Sequence, residues 1–172
     1  MEIRVTGVDR IIAKLKAYQK SLEDKQHRLL EELAKVGIDV AAARFSTAQY
    51  DGDNDVVVNG TPEWVGDNKL FITATGQSVT FIEFGTGIHY AEQHPKANAL
   101  GFVRGAYGQG KGSRDSWGYY GSPGTNGRVI KENDKGSVVI THGNPPARAM
   151  YDSAKEMRNQ IVDIAREVFG SD

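Results

Sequence analysis

His89, Glu92 and His94 follow Glu83 at a His-x-x-Glu-x-His spacing. Imidazole with carboxylate is a donor set able to hold zinc or another divalent cation. The order is neither the His-Glu-x-x-His of a metalloprotease helix nor its inverse, and Tyr90 and Pro95 disfavour a regular helix, so a solvated loop is the preferred reading. Gly105 to Lys111 meets the first seven positions of a phosphate-binding loop, but Gly112 stands where Ser or Thr would ligate magnesium. No apolar strand pattern precedes it and no helical one follows, so a flexible loop is expected instead. Phe102, Arg104, Tyr107, Lys111, Arg114, Trp117, Tyr119 and Tyr120, with Arg128, interleave aromatic and basic groups as single-strand nucleic-acid binders do. The same residue types suit a loop that docks on a neighbouring protein, which is the favoured reading of the two. Glu83 has no second catalytic member that the sequence can place beside it. It is expected to pair with a basic group such as Arg148.

The whole-chain balance weighs against a charge-driven grip on nucleic acid. Over 172 residues, 21 Lys and Arg oppose 22 Asp and Glu, a net charge of -1. The charge is uneven: seven basic residues against three acidic ones between Lys96 and Lys135 give that segment +4 and leave -5 for the remainder. With no cysteine, neither a disulfide nor a thiolate metal cage holds the fold. Met1 to Val5 lacks the basic and apolar regions of a secretory signal, and no apolar run is long enough to span a bilayer. A protein made in the cytoplasm, with no membrane partner and no cofactor, is the expectation.

The elements that must position these residues are readable in outline. Met1 to Val5 reads as a short extended lead-in, and Thr6-Gly7-Val8-Asp9 has the spacing of a capping box. Val8, Ile11, Ile12, Leu15, Tyr18 and Leu22 then lie on one face of a helix, and Leu29, Leu30, Leu33, Val36, Val40, Ala41 and Phe45 on one face of a second, over about 24–46. Continuity between the two is left open. Asp55 to Asn59, with Val56-Val57-Val58, reads as a strand and Trp64-Val65 as a short edge piece. Gly76-Gln77 between 69–75 and 78–84 predicts a β-hairpin with apolar residues on both faces, one of them to be covered by a partner or loop. A glycine-rich insertion follows over 98–127, longer than ordinary loops. A hairpin of Arg128 to Ile130 with Ser137 to Ile140 precedes a helix over about 145–169, opened by Asn144-Pro145 and seamed by Ala147, Met150, Ala154, Met157, Ile161, Ile164 and Val168. The sum is one α+β domain over 1–172: an antiparallel β-sheet packed against N-terminal helices and a long C-terminal helix.

Two motifs carry a resemblance. Val79 to Gly87, which includes Glu83-Phe84-Gly85-Thr86-Gly87, and Pro145-Pro146-Ala147-Arg148-Ala149-Met150 stand in an order similar to that of the tail-completion, or minor tail, family of long-tailed bacteriophages. With the N-terminal helices, the likeness covers most of the chain outside the glycine-rich insertion. Two family features are missing: a Thr-Gly-x-Leu-like stretch before the sheet, and Pro-Phe where Ala149-Met150 stands. The resemblance implies a structural subunit and not an enzyme, assembling with itself into a ring, expected to be a hexamer. That ring would sit in the virion at the head–tail junction or tail-tube end, against other phage neck or tail proteins. DNA would be only cargo passing through the lumen, and assembly would take place in the host cytoplasm. The alternative is a small nucleic-acid-binding accessory protein using 98–128, and a metal-dependent hydrolase ranks third.

Overall fold

The computed structural model describes residues 7–90, 92–106, 113–134 and 136–170. Helix α1, Val8–Ser46, is one unbroken helix of 39 residues. Its interior holds no proline and a single glycine, Gly37, so nothing in the chain interrupts the hydrogen-bond ladder. Gly7 precedes it in the left-handed region without a side-chain cap, and Asp9 supplies a negative charge to the first turn. The lead-in over 1–5 and the Thr6 member of the expected capping box lie outside the described residues.

Helix α4, Ala149–Gly170, runs antiparallel to the second half of α1. Three contacts set the direction: Arg44 pairs with Asp152 at 3.1 Å, Ser153 Oγ donates to the Gly37 carbonyl at 2.8 Å, and Lys25 Nζ donates to the Phe169 carbonyl at 3.3 Å. Glycine at position 37 permits this approach, because a Cβ there would stand 2.7 Å from Met157 Sδ and 3.0 Å from Ser153 Oγ. Leu33, Ala34, Ile38 and Ala41 are buried on α1, and Ala149, Ser153 and Val168 on α4. Ile161, expected in the seam, is exposed, and α4 begins four residues later than Pro145. The Asn144-Pro145 cap is therefore corrected: the amide of Ala147 is committed to the Ile82 carbonyl, and Arg148 at φ 55 turns the chain before the helix can start.

The hairpin around Gly76-Gln77 is also corrected. The strands there are two residues long: β1 (Val57–Val58) pairs with β4 (Ala74–Thr75), and β2 (Glu63–Trp64) pairs with β3 (Leu70–Phe71), all antiparallel. The segment read as the returning strand is helix α2, Val79–Phe84. Asp55 decides this by accepting the amides of Gln77 at 2.7 Å and Ser78 at 2.9 Å, which bends the chain at the point where a hairpin would continue extended. Ile82 then packs with Phe45 and Ala149, the buried centre of a cluster that includes Tyr50, Val58, Val79 and Met150. With α2 helical, the two-faced strand pair expected over 69–84 is absent.

Past helix α3, Ala97–Leu100, the chain enters a three-stranded antiparallel sheet in the order β5 (Trp117–Tyr120), β7 (Gly136–Thr141), β6 (Arg128–Asn133). The expected β6–β7 pair is present, with Val129 opposite Val139 and an irregularity at Ile130. The surprise is β5, which lies inside the stretch read as a glycine-rich loop and pairs Tyr119 with Val139 and Trp117 with Thr141. Alternation of Trp117 and Tyr119 was its signal, masked by the surrounding glycines. The α+β class stands, with two helices packed against each other and small antiparallel sheets beside them.

Gly85 adopts φ 79, and a Cβ there would meet the Asn144 carbonyl at 2.7 Å and the Pro146 nitrogen at 2.9 Å. Gly85→Val is therefore expected to lose more than about 2 kcal/mol in urea denaturation. Asp55 yields a pH prediction. The Gln77 amide, then Ser78, holds its carboxyl below the usual 3.8. The lowered value means its support of the α2 start is complete above 3.8 and is lost as pH falls through the folded value. Amide exchange at Gln77 and Ser78, corrected for intrinsic rates, should accelerate below that pH in the native protein, and Asp55→Asn should remove the pH dependence.

Candidate functional site

Glu83 sits where α2 meets the entry to α4, and both its backbone and its side chain are used there. The residue is 5% exposed, with Oε2 accepting the Met150 amide at 2.9 Å and Oε1 the Tyr151 amide at 3.0 Å. These are free donors of the first turn of α4, and a carboxylate at that end also meets the positive pole of the helix. In return, the last carbonyls of α2 are satisfied by the irregular segment leading into α4: Ala147 donates to Ile82 at 2.8 Å and Arg148 to Glu83 at 3.2 Å. The expected Glu83–Arg148 ion pair is thus replaced by a backbone contact. Arg148 itself is exposed, and the carboxylate charge is met by helix amides instead.

His94 completes the shell. Its Nδ1 accepts the Lys96 amide at 3.0 Å, which requires a lone pair there and places the proton on Nε2, facing Glu83 Oε1 at 3.2 Å. The ring is 3% exposed and lies 4.4 Å from the Phe84 ring and 5.5 Å from that of Tyr151. Phe102 stacks on Phe84 at 3.8 Å. This arrangement holds the carboxylate in place with three donors, two of them amides of the α4 start.

The rest of the Glu-Phe-Gly-Thr-Gly motif is tied to a second polar cluster. The Thr86 amide donates to the Asn144 carbonyl at 2.8 Å, and Asn144 Nδ2 donates to Thr86 Oγ1 at 3.1 Å. Asn144 Oδ1 accepts the Asp51 amide at 2.9 Å, while the Asp51 carboxylate accepts the Thr141 hydroxyl at 2.5 Å and the Asn126 amide at 2.8 Å. Gly87 at φ 81 lets the chain pass against the His142 carbonyl. Nearby, burial and the negative charge of Asp51 push the Tyr119 phenol up to about 12, and its hydroxyl donates to the Ser122 carbonyl at 2.7 Å. Among the described residues, every buried side-chain nitrogen and oxygen has a hydrogen-bond partner.

The other candidates separate. His89 is exposed and reaches Asp115 at 2.7 Å, with His142 at 3.6 Å from the same carboxylate, whereas His94 is buried beside Glu83 and Glu92 is exposed at φ 69. Among the described residues, no group of three His, Asp or Glu side chains is arranged to hold a metal. Tyr107 and Lys111, with most of the phosphate-loop candidate, lie outside the described residues. Of the remaining interleaved set, Phe102 is engaged by Phe84 and Trp117 and Tyr119 are half-buried in β5, while Tyr120 is 62% exposed. Arg104 donates to the Ile88 carbonyl at 3.0 Å, and Arg114 is exposed. Among the described residues, three of the four aromatic faces that would stack on bases, those of Phe102, Trp117 and Tyr119, are thus engaged or half-buried in the fold.

Asp51 and Asn144 were not read from the sequence as partners of the motif, and Asn-Pro before a helix pattern gave a different expectation for Asn144; His94, grouped with Glu83 as a metal donor, hydrogen-bonds to it instead. The exposed apolar stripe on the first half of α1 is the other missed feature, since periodicity marks an apolar face but not whether anything covers it. No family model matches the chain, and neither the curated proteins nor the solved structures give a match. No helix among the described residues is long and apolar enough to cross a membrane.

Glu83→Ala should cost about 2–4 kcal/mol, since it removes charge-assisted bonds and leaves buried amides without acceptors. Denaturation measures the loss. Hydrogen exchange at Met150 and Tyr151 should rise more than at Ser153, showing that the entry to α4 loosens first.

Proposed function

We propose that this chain is a structural subunit of a bacteriophage tail, assembling with copies of itself into a ring at the head–tail junction or the end of the tail tube. One observation carries the reading: Val8, Ile11, Leu15, Tyr18 and Leu22 form an apolar stripe on α1 that is 39–64% exposed in a single copy. Monomeric soluble proteins rarely leave so continuous a stripe in water, and burial between subunits removes it. The resemblance carried by Glu83 to Gly87 and by Pro145 to Met150 supplies the phage context. The way Glu83 joins those two motifs supports a scaffolding role, because its carboxylate accepts two amides at the start of α4 and so ties the motifs together.

In this reading the subunit performs no reaction and needs no cofactor. Its partners are its own copies, expected to number six, and other neck or tail proteins, with DNA only as cargo passing through the lumen. It would be made in the host cytoplasm and end in the virion. Native mass measurement and electron microscopy, with the protein alone and mixed with purified tail tubes, should show a closed ring with a central opening. Protein that stays monomeric at high concentration and binds neither tubes nor connectors would overturn the proposal.

A further inference from the structure

Residues 8–24 of α1 are exposed on every side and continue beyond the end of α4, forming an arm about 25 Å long. The apolar seam of the arm is the continuation of a surface that α4 covers further along. Lys25, three residues past Leu22, donates to the Phe169 carbonyl at the end of α4, and Gly37, four past Leu33, accepts Ser153 Oγ at 2.8 Å. Along the seam Leu15 is 62% exposed, Leu22 39%, Leu29 half-buried and Leu33 8%. Exposure falls in step with the approach of α4. The arm therefore offers to solvent the same face that packs on a helix beyond Lys25, and among the described residues nothing lies on it.

The spacing within the seam says what fits it. Ile11, Leu15, Tyr18 and Leu22 are separated by steps of four, three and four, an order that reads the same in both directions. Two such arms lying antiparallel match layer for layer: Ile11 meets the partner's Leu22, and Leu15 meets the partner's Tyr18, each contact repeated about a two-fold axis. In that register the partner's Val8 stands level with Lys25, where Phe169 is 40% exposed at the end of α4. The second arm thus takes up the line of α4 and runs in the same direction. Charge does not oppose the pairing, since four basic residues against three acidic ones leave the arm only +1. Residues 8–16, with three basic and one acidic, hold +2, and residues 17–24, with one basic and two acidic, hold -1. Antiparallel arms set these unlike halves together, whereas parallel arms set +2 beside +2.

We propose that the arms of two copies pair antiparallel through Ile11, Leu15, Tyr18 and Leu22. This deepens the self-assembly reading above and rests on it. Because α1 is unbroken from Val8 to Ser46, the arm cannot fold back onto its own body, so the covering helix comes from another molecule. The same rigidity selects the direction. In a parallel pair the α4 of each copy, lying on the same seam past Lys25, would be driven into the other, while the antiparallel pair leaves the two bodies at opposite ends. The contact is isologous and closes at two, so a ring of six is reached as three pairs joined by a second contact.

The absence of native cysteine makes a direct test available. Ile11→Cys and Leu22→Cys, both at exposed positions, are purified separately, mixed in equal amounts and oxidised. Antiparallel arms bring position 11 of one copy to position 22 of the other, whereas like positions stand about 16 Å apart along the axis, too far for a disulfide. The expected product is the mixed disulfide, in clear excess of either homotypic one. Adding Leu15→Asp to both variants should lower it about tenfold, and since Leu15 is 62% exposed the fold of the single copy is left intact. Lys16→Cys, off the seam, should cross-link with neither variant. Predominance of the homotypic products would overturn the proposal in favour of parallel arms. Equal cross-linking by Lys16→Cys would overturn it as collision without a seam. Co-sedimentation with phosphatidylserine vesicles, without the mixed disulfide, would overturn it in favour of a lipid surface. Rings seen by microscopy without the cross-link would sink the arm pair and leave the assembly reading standing. The mixed disulfide in a protein that forms no ring, alone or with tail tubes, would uphold the pair and sink the ring.

Discussion

A single buried carboxylate joins the parts of this fold that are far apart in sequence. Glu83 closes α2 and opens α4: its side chain accepts the Met150 and Tyr151 amides, while its own carbonyl accepts that of Arg148. Helix ends carry unsatisfied groups of opposite polarity, and placing the end of one against the start of another lets each satisfy the other without water. The cost of burying a charge is offset only because the donors are fixed amides at the positive end of a 22-residue helix. His94, whose proton position is set by the Lys96 amide, adds a third donor and shields the group from solvent.

The second polar cluster extends the same logic. Asp51 collects the Thr141 hydroxyl and the Asn126 amide, and its own amide binds Asn144, which in turn holds Thr86. The segment after α1, the turn after α2, the end of β7 and the approach to α4 thereby meet in one network. Such a network rigidifies the structure only when all members are satisfied, a condition met among the described residues. A polar centre of this kind leaves the apolar core small, with Phe45, Ile82 and Ala149 at its heart, and leaves much apolar surface outside it.

That surplus surface gives the proposed assembly its physical basis. Half of α1 packs on α4 and the other half does not, although both halves carry an apolar stripe. The difference is length: α4 runs to Gly170, with Phe169 opposite Lys25, and among the described residues nothing in the same copy reaches further along α1. An unbroken helix transmits the rigidity of the core out to the arm, so the exposed stripe is presented in a defined direction and not as a loose tail.

The long helices, the β6–β7 pair and the strand at Val57–Val58 were legible because periodicity and β-branching are local properties of the chain. Gly85 and Gly87 were legible as points of positive φ, since the residue type itself permits that backbone. The identity of α2 was not. Val79, Ile82 and Glu83 have helical spacing, but Val79 and Phe81 also alternate, and the choice between them was made by Asp55, more than twenty residues earlier. Likewise, β5 exists because β7 offers it a free edge, and Glu83 faces helix amides because α4 starts late enough to present them. Sequence alone therefore set which segments were apolar and where the chain could turn. Tertiary contact decided which polar groups met and which stripe stayed uncovered, because a hydrogen bond or a buried face depends on a partner that no local window contains.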